Sequence, residues 1–183
     1  MSALNSIFIL VAAFLAVFGE AAFPGVRHWL GAQVDLLPAL MVYASLCAGL
    51  ATVALLAVLG GLWFDSLSAN PLGVSVLPLF IVGYGIYRRR ELILRDQPLA
   101  QFVLGFSASA AVPLLTLLLL FSAGLSPLLN WGSLWQWFVM SLAGAMAAPV
   151  FFRLFGWCNH ALNYQRATEI SFRSNREIRR GRF

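Results

Sequence analysis

Gly60-Gly-Leu-Trp-Phe-Asp-Ser-Leu-Ser-Ala-Asn-Pro-Leu-Gly-Val74 joins two long apolar runs through a single acid, Asp65, and an Asn70-Pro71 turn. An ionisable side chain near hydrocarbon is costly, so an acid at such a junction points to a role in fixing position. The runs on either side set the class of the protein.

Apolar residues make up 61% of the 183-residue chain and charged residues 10%. Soluble domains average about 45–50% and about 25%. One soluble core of this length does not hide so much apolar surface, so the composition predicts an all-α integral membrane protein with one compact bundle. All 12 basic residues are arginine, and with 7 acids they leave a net charge of +5. The arginines cluster at Arg88–Arg95 and Arg166–Arg182, a distribution that reads as membrane orientation and not as a nucleic-acid surface. Cys47 and Cys158 sit in apolar sequence without a Cys-x-x-Cys pair, and read as small buried residues.

Working outward, the apolar run around Ile7–Phe18 has no basic residue before it and reads as an uncleaved first helix ending near Pro24. Leu36–Phe64 carries no charge, and as one helix would reach about 43 Å, more than a ~30 Å hydrocarbon core needs. Two shorter helices meeting near Cys47-Ala48-Gly49 fit better, because glycine permits a tight turn. Leu72–Tyr87 reads as the next helix, then Leu99–Leu125 with Pro113 as a kink, then Leu134–Cys158. The expectation is six membrane segments, five being the alternative, with residues 1–158 as the transmembrane bundle and 159–183 as a basic cytoplasmic tail.

Arginine-rich loops stay cytoplasmic. The Arg88–Arg95 loop and the tail are two helices apart and so share a side, which places both termini in the cytoplasm and Arg27, Asp35 and Asp65 outside. Trp29, Trp63, Trp131, Trp135 and Trp137 then gather at the outer interface as an aromatic belt. Gly105–Ala111 and Ser141–Ala148 carry small-x-x-x-small spacing, the pattern of closely packed membrane helices.

Catalysis in a membrane needs converging polar groups. His28 and His160 fall on opposite predicted sides, and Cys158-Asn159-His160 would point its side chains in different directions on a helix. No phosphate loop, His-Glu-x-x-His or Gly-x-Ser-x-Gly is present. The reading is therefore non-enzymatic, with no cofactor and no metal. For Asp35 and Asp65 two readings stay open: an ion pair with Arg27 that ties the outer loops together, or a solvated interfacial acid. Arg88, Arg89 and Arg90, with Arg173, Arg176, Arg179 and Arg180 of the tail, are expected to contact anionic lipid at about 1 kcal/mol each or a cytoplasmic protein.

Asp65-Ser-Leu-Ser-Ala-Asn70-Pro71-Leu-Gly73-Val74 resembles the rod shape-determining protein MreD family, in which an acid ends one helix and Leu-Gly opens the next after a short turn. Val34-Asp35-Leu-Leu-Pro38-Ala-Leu40 is similar to the segment that opens that family's second helix, although the proline here follows the acid. Val82-Gly83-Tyr84 followed by Arg88-Arg89-Arg90 is similar too. The resemblance covers about Asp35 to Arg90 and implies a non-catalytic scaffold in the bacterial inner membrane. Its implied partners are an MreC-like protein, the RodA glycosyltransferase, a class B penicillin-binding transpeptidase and the MreB cytoskeleton. It further implies that Asp35, Asp65, Asn70, Pro71 and Gly73 shape the outer rim or meet the MreC-like partner, on a fold similar to the substrate-binding subunit of energy-coupling vitamin transporters. The alternative is a vitamin-capture subunit of a membrane transporter, which predicts an outer pocket lined by Trp29, Trp63 and Trp135.

Overall fold

Six α-helices occur among the described residues, and their boundaries follow the apolar runs. The computed structural model describes residues 3–22, 31–68, 71–93, 97–125 and 130–171. The helices are α1 (Ala3–Ala22), α2 (Leu37–Cys47), α3 (Leu50–Leu67), α4 (Val76–Arg89), α5 (Pro98–Ser122) and α6 (Trp131–Ser171), with a 3-10 turn at Arg90–Leu92. No strand occurs among the described residues. The chain divides into two units, Met1–Phe152 and Arg153–Phe183; the second contains the end of α6, helical to Ser171.

Four segments are long and apolar enough to cross a membrane: Asn5–Ala22, Leu50–Leu67, Pro98–Ser122 and Trp131–Cys158. The expected set of six spanning segments is thereby reduced, since α2 has 11 residues and α4 has 14. At 1.5 Å per residue these reach about 16 Å and about 21 Å, short of a ~30 Å core. The helix over 72–87 begins later than its apolar pattern suggests, because residues 72–75 form a turn.

The division of Leu36–Phe64 falls where expected, between Cys47 and Leu50. Its cause differs from the glycine argument. Ala48 (φ −122°, ψ 179°) and Gly49 (φ −85°, ψ 162°) are simply extended, a conformation open to any residue. Arg90 seals the break: its guanidinium donates to the Ala48 carbonyl at 3.4 Å and lies 4.4 Å from the centre of the Tyr87 ring.

α2 is the axis of the first unit. Every residue from Leu37 to Leu46 is buried. The helix packs against α1, α3, α4 and α5. A helix apolar all round is what a position inside other helices requires. Contacts along the neighbours show successive elements alternating in direction. Ser6 of α1 hydrogen-bonds Thr52 at the start of α3 at 2.8 Å. Phe14 meets Trp63 edge-on further along, with centroids 5.3 Å apart. α1 and α3 are thus parallel, and α2 runs against both. The acids and the arginines consequently lie at opposite ends: Asp35 and Asp65 at one, Arg88–Arg90 at the other.

α5 and α6 meet through small residues. A Cβ on Gly105 would lie 2.6 Å from the Gly144 carbonyl oxygen and 2.7 Å from the Ala148 Cβ, and one on Gly144 would overlap the Ser109 hydroxyl. The two small-residue stripes of the sequence are therefore each other's partners, an internal packing seam. Trp137 adds a polar tie, its Nε1–H donating to the Ala110 carbonyl at 2.9 Å.

Candidate functional site

The acid end of the first unit is built from three carboxyl groups and one amide. Asp65 lies on the last full turn of α3 and is 1% exposed. Its Oδ2 accepts the Gly73 amide at 2.8 Å and the Ser75 amide at 3.1 Å, and its Oδ1 accepts the Ser75 hydroxyl at 2.5 Å. One side chain thus satisfies backbone donors ahead of α4, which orphan N–H groups at a helix start require. Gly61 brings the two helices close enough for this, since a Cβ there would stand 2.9 Å from the Val76 backbone.

The connecting turn has a stated residue requirement. Val74 N–H donates to the Pro71 carbonyl at 3.3 Å, and Gly73, third in that turn, has φ +90°. A positive φ at the third position is the type II signature and favours glycine. Gly73→Ala should therefore cost about 1 kcal/mol, even though no neighbouring atom would meet the added Cβ. Thermal unfolding of the purified variant checks it; an unchanged midpoint would show that the turn tolerates the residue.

Asp35 and Glu20 hold the start of α2 in the same way. Asp35 Oδ1 accepts the Leu37 amide at 2.9 Å, and Glu20 Oε1, from the end of α1, accepts the preceding Leu36 amide at 2.8 Å. Two carboxyl groups on adjacent amides are necessarily close neighbours. Asp35 is only 4% exposed. Burial pushes its carboxyl up from 3.8 to about 7, against the Leu37 hydrogen bond, which lowers it. The folded chain holds this proton more tightly than the unfolded chain does. Stability from the group is therefore complete below about pH 4 and is lost as pH rises through about 7. Asp35→Asn retains the oxygen that caps Leu37 and does not titrate, so it should flatten this part of the pH profile of unfolding.

Gln136 closes the arrangement from α6. Its Oε1 accepts the Gln33 amide at 2.9 Å while its Nε2 donates to the Gln33 carbonyl at 2.8 Å, a two-bond clamp on the 31–36 segment. Beside it lies a cleft of about 490 Å³, bordered by Gln33, Asp35, Ser75, Thr116, Ser133 and Gln136 on its polar side. Leu79, Val112, Leu120, Trp137 and Met140 are among its apolar residues.

Among the residues expected to matter, Asp35, Asp65, Pro71 and Gly73 come to one end of the bundle. Neither acid is solvated; each is buried against backbone amides. Arg27, Asn70 and Arg173, Arg176, Arg179 and Arg180 lie outside the described residues, and so does the proposed Arg27 ion pair. Arg88 and Arg89 are exposed at the opposite end, and Arg90 holds the Ala48 turn. Trp63 and Trp135 do not border the cleft, where the transporter alternative expected them, whereas Trp137 does. Trp29 lies outside the described residues.

Gln33, Gln136 and the capping role of Glu20 were missed in the sequence. The signal for Gln136 was present, a lone amide inside Trp131–Met140, since an amide in an apolar helix seeks a hydrogen-bonding partner. No family model, curated protein or solved structure matches the chain.

Proposed function

We propose that the chain is a non-catalytic membrane scaffold of the bacterial cell-elongation machinery, docking an MreC-like protein at the acid end. The observation that carries this reading is the Asp65 lock, in which one buried acid fixes the Pro71–Ser75 turn through three hydrogen bonds. A rigid, exposed turn at a bundle end suits partner docking, because little ordering remains to be done on binding. Glu20 and Asp35 likewise hold backbone amides, so the acids at this end serve positioning and not proton chemistry.

In this reading the acid end faces outward, both termini are cytoplasmic in a bacterial inner membrane, and Arg88 and Arg89 meet anionic lipid or the MreB system. RodA and a class B transpeptidase act beside the complex in peptidoglycan synthesis. Co-purification of the tagged chain from native membranes in mild detergent, with mass spectrometry of its companions, tests it. Recovery of the MreC-like protein with RodA or the transpeptidase is the expected result. Recovery of ATP-binding-cassette ATPases with a coupling subunit would overturn it in favour of vitamin capture.

A further inference from the structure

The scaffold reading leaves without a role the cleft that α5 and α6 border together with the ends of α3 and α4, and the cleft has the makings of a site. Helices α5 and α6 are locked together at Gly105, Ser109 and Gly144, and beyond that seam Val112–Leu120 and Gly132–Met140 border an open volume of about 490 Å³. That is within the usual range for small-ligand pockets, about 300–1,000 Å³. Its walls are divided by chemistry: Leu117, Leu120 and Met140 line it from the helices, while Asp35, Ser133 and Gln136 line the end nearer the 31–36 segment.

Asp35 gives the polar part its character. Among the described residues it is the only ionisable one bordering the cleft. The side chain is 96% buried by its 4% exposure, and only its Oδ1 is used, by the Leu37 amide. Oδ2 accepts no hydrogen bond among the described residues. Gln136 and Gln33 are engaged with each other, which leaves the acid as the one carboxyl acceptor among the described lining residues. A largely buried acid most favourably takes a donor that carries positive charge.

We propose that this cleft binds one membrane amphiphile with an ammonium head group, the head donating to Asp35 and the chain lying in the cleft against Leu117, Leu120 and Met140. An amphiphile fits because the site is polar at one end and apolar along its length, and because the flanking helices are of spanning length and composition. The proposal is independent of the scaffold reading, which companion proteins test separately.

Native mass spectrometry of the detergent-solubilised full chain provides the test, with lysophosphatidylethanolamine and lysophosphatidylcholine as probes. Both heads carry positive charge, but only the former donates hydrogen bonds. The wild type should retain one lysophosphatidylethanolamine with about tenfold preference over the choline lipid. Asp35→Asn, which keeps the cap of α2 but replaces the free oxygen with a donor, should lose the preference and still bind a chain. Leu120→Trp, which fills the apolar part without touching the acid, should lose both lipids. Thermal unfolding confirms that each variant is folded. Equal retention of both probes by the wild type, or retention unaffected by either variant, would overturn the proposal and leave only annular lipid.

Discussion

Asp65→Ala is expected to destabilise the bundle by roughly 3 kcal/mol, because it strands the Gly73 amide, the Ser75 amide and the Ser75 hydroxyl at once. Each stranded donor in a water-poor site costs on the order of 1 kcal/mol or more. Asp65→Asn separates the causes. Its oxygen can accept the two amides that now bind Oδ2, while its NH2 group donates to the Ser75 hydroxyl, so the loss should fall to about 1 kcal/mol. Unfolding followed in detergent by circular dichroism gives both numbers. If alanine and asparagine were equally mild, hydrogen bonding would not be what holds the α3–α4 turn. In cells, the scaffold reading expects Asp65→Ala to weaken capture of the MreC-like partner and Asp65→Asn to preserve most of it.

The second large effect is expected at the α5–α6 seam. Gly144→Ala puts a methyl group into the Ser109 side chain, a collision that separation of the helices or a new side-chain geometry must relieve. Overpacking of this kind costs about 1–3 kcal/mol, and Gly144→Leu should prevent the seam from forming. Ser109→Gly removes the obstructing atoms, so the pair Gly144→Ala with Ser109→Gly should recover much of the loss. A coupling energy of about 1 kcal/mol or more in the double-mutant cycle is the expected reading. Additive losses would place the two residues out of contact. Ser109→Ala alone should be neutral or slightly stabilising, since the Ser109 hydroxyl is buried without a hydrogen-bond partner.

Much of this architecture was legible because hydrocarbon length and apolar composition constrain each other. The four long segments follow directly from runs of apolar residues. The break near Gly49 was legible from length alone: an uncharged run too long for one crossing has to divide, even though glycine's special backbone freedom is not used there. The small-residue stripes were visible as stripes, but their pairing was not, because small-x-x-x-small spacing names a face and never the helix opposite. Asp65 stood out for a similar reason, as one acid between apolar runs, and its proximity to Gly73 and Ser75 is local enough to suspect. Asp35 was visible as an acid at the opening of a helix, but its cap on the Leu37 amide was not read there, where it stood as an ion-pair partner or a solvated acid.

The partners that come from far along the chain were not legible. Gln136 and Gln33 are more than a hundred positions apart, and Glu20 reaches the amide of Leu36 from another helix. The sequence by itself determined that this is an all-helical, membrane-class chain with its arginines clustered at Arg88–Arg95 and Arg166–Arg182, because transfer between water and hydrocarbon acts residue by residue. Only the tertiary structure decided that α2 is an enclosed axis, that Asp65 and Asp35 turn inward onto backbone amides, and that a cleft remains beside Asp35 and Gln136. Those outcomes depend on which surfaces meet, and a hydrogen bond or a packing contact has two ends, of which the sequence around one residue describes only the first.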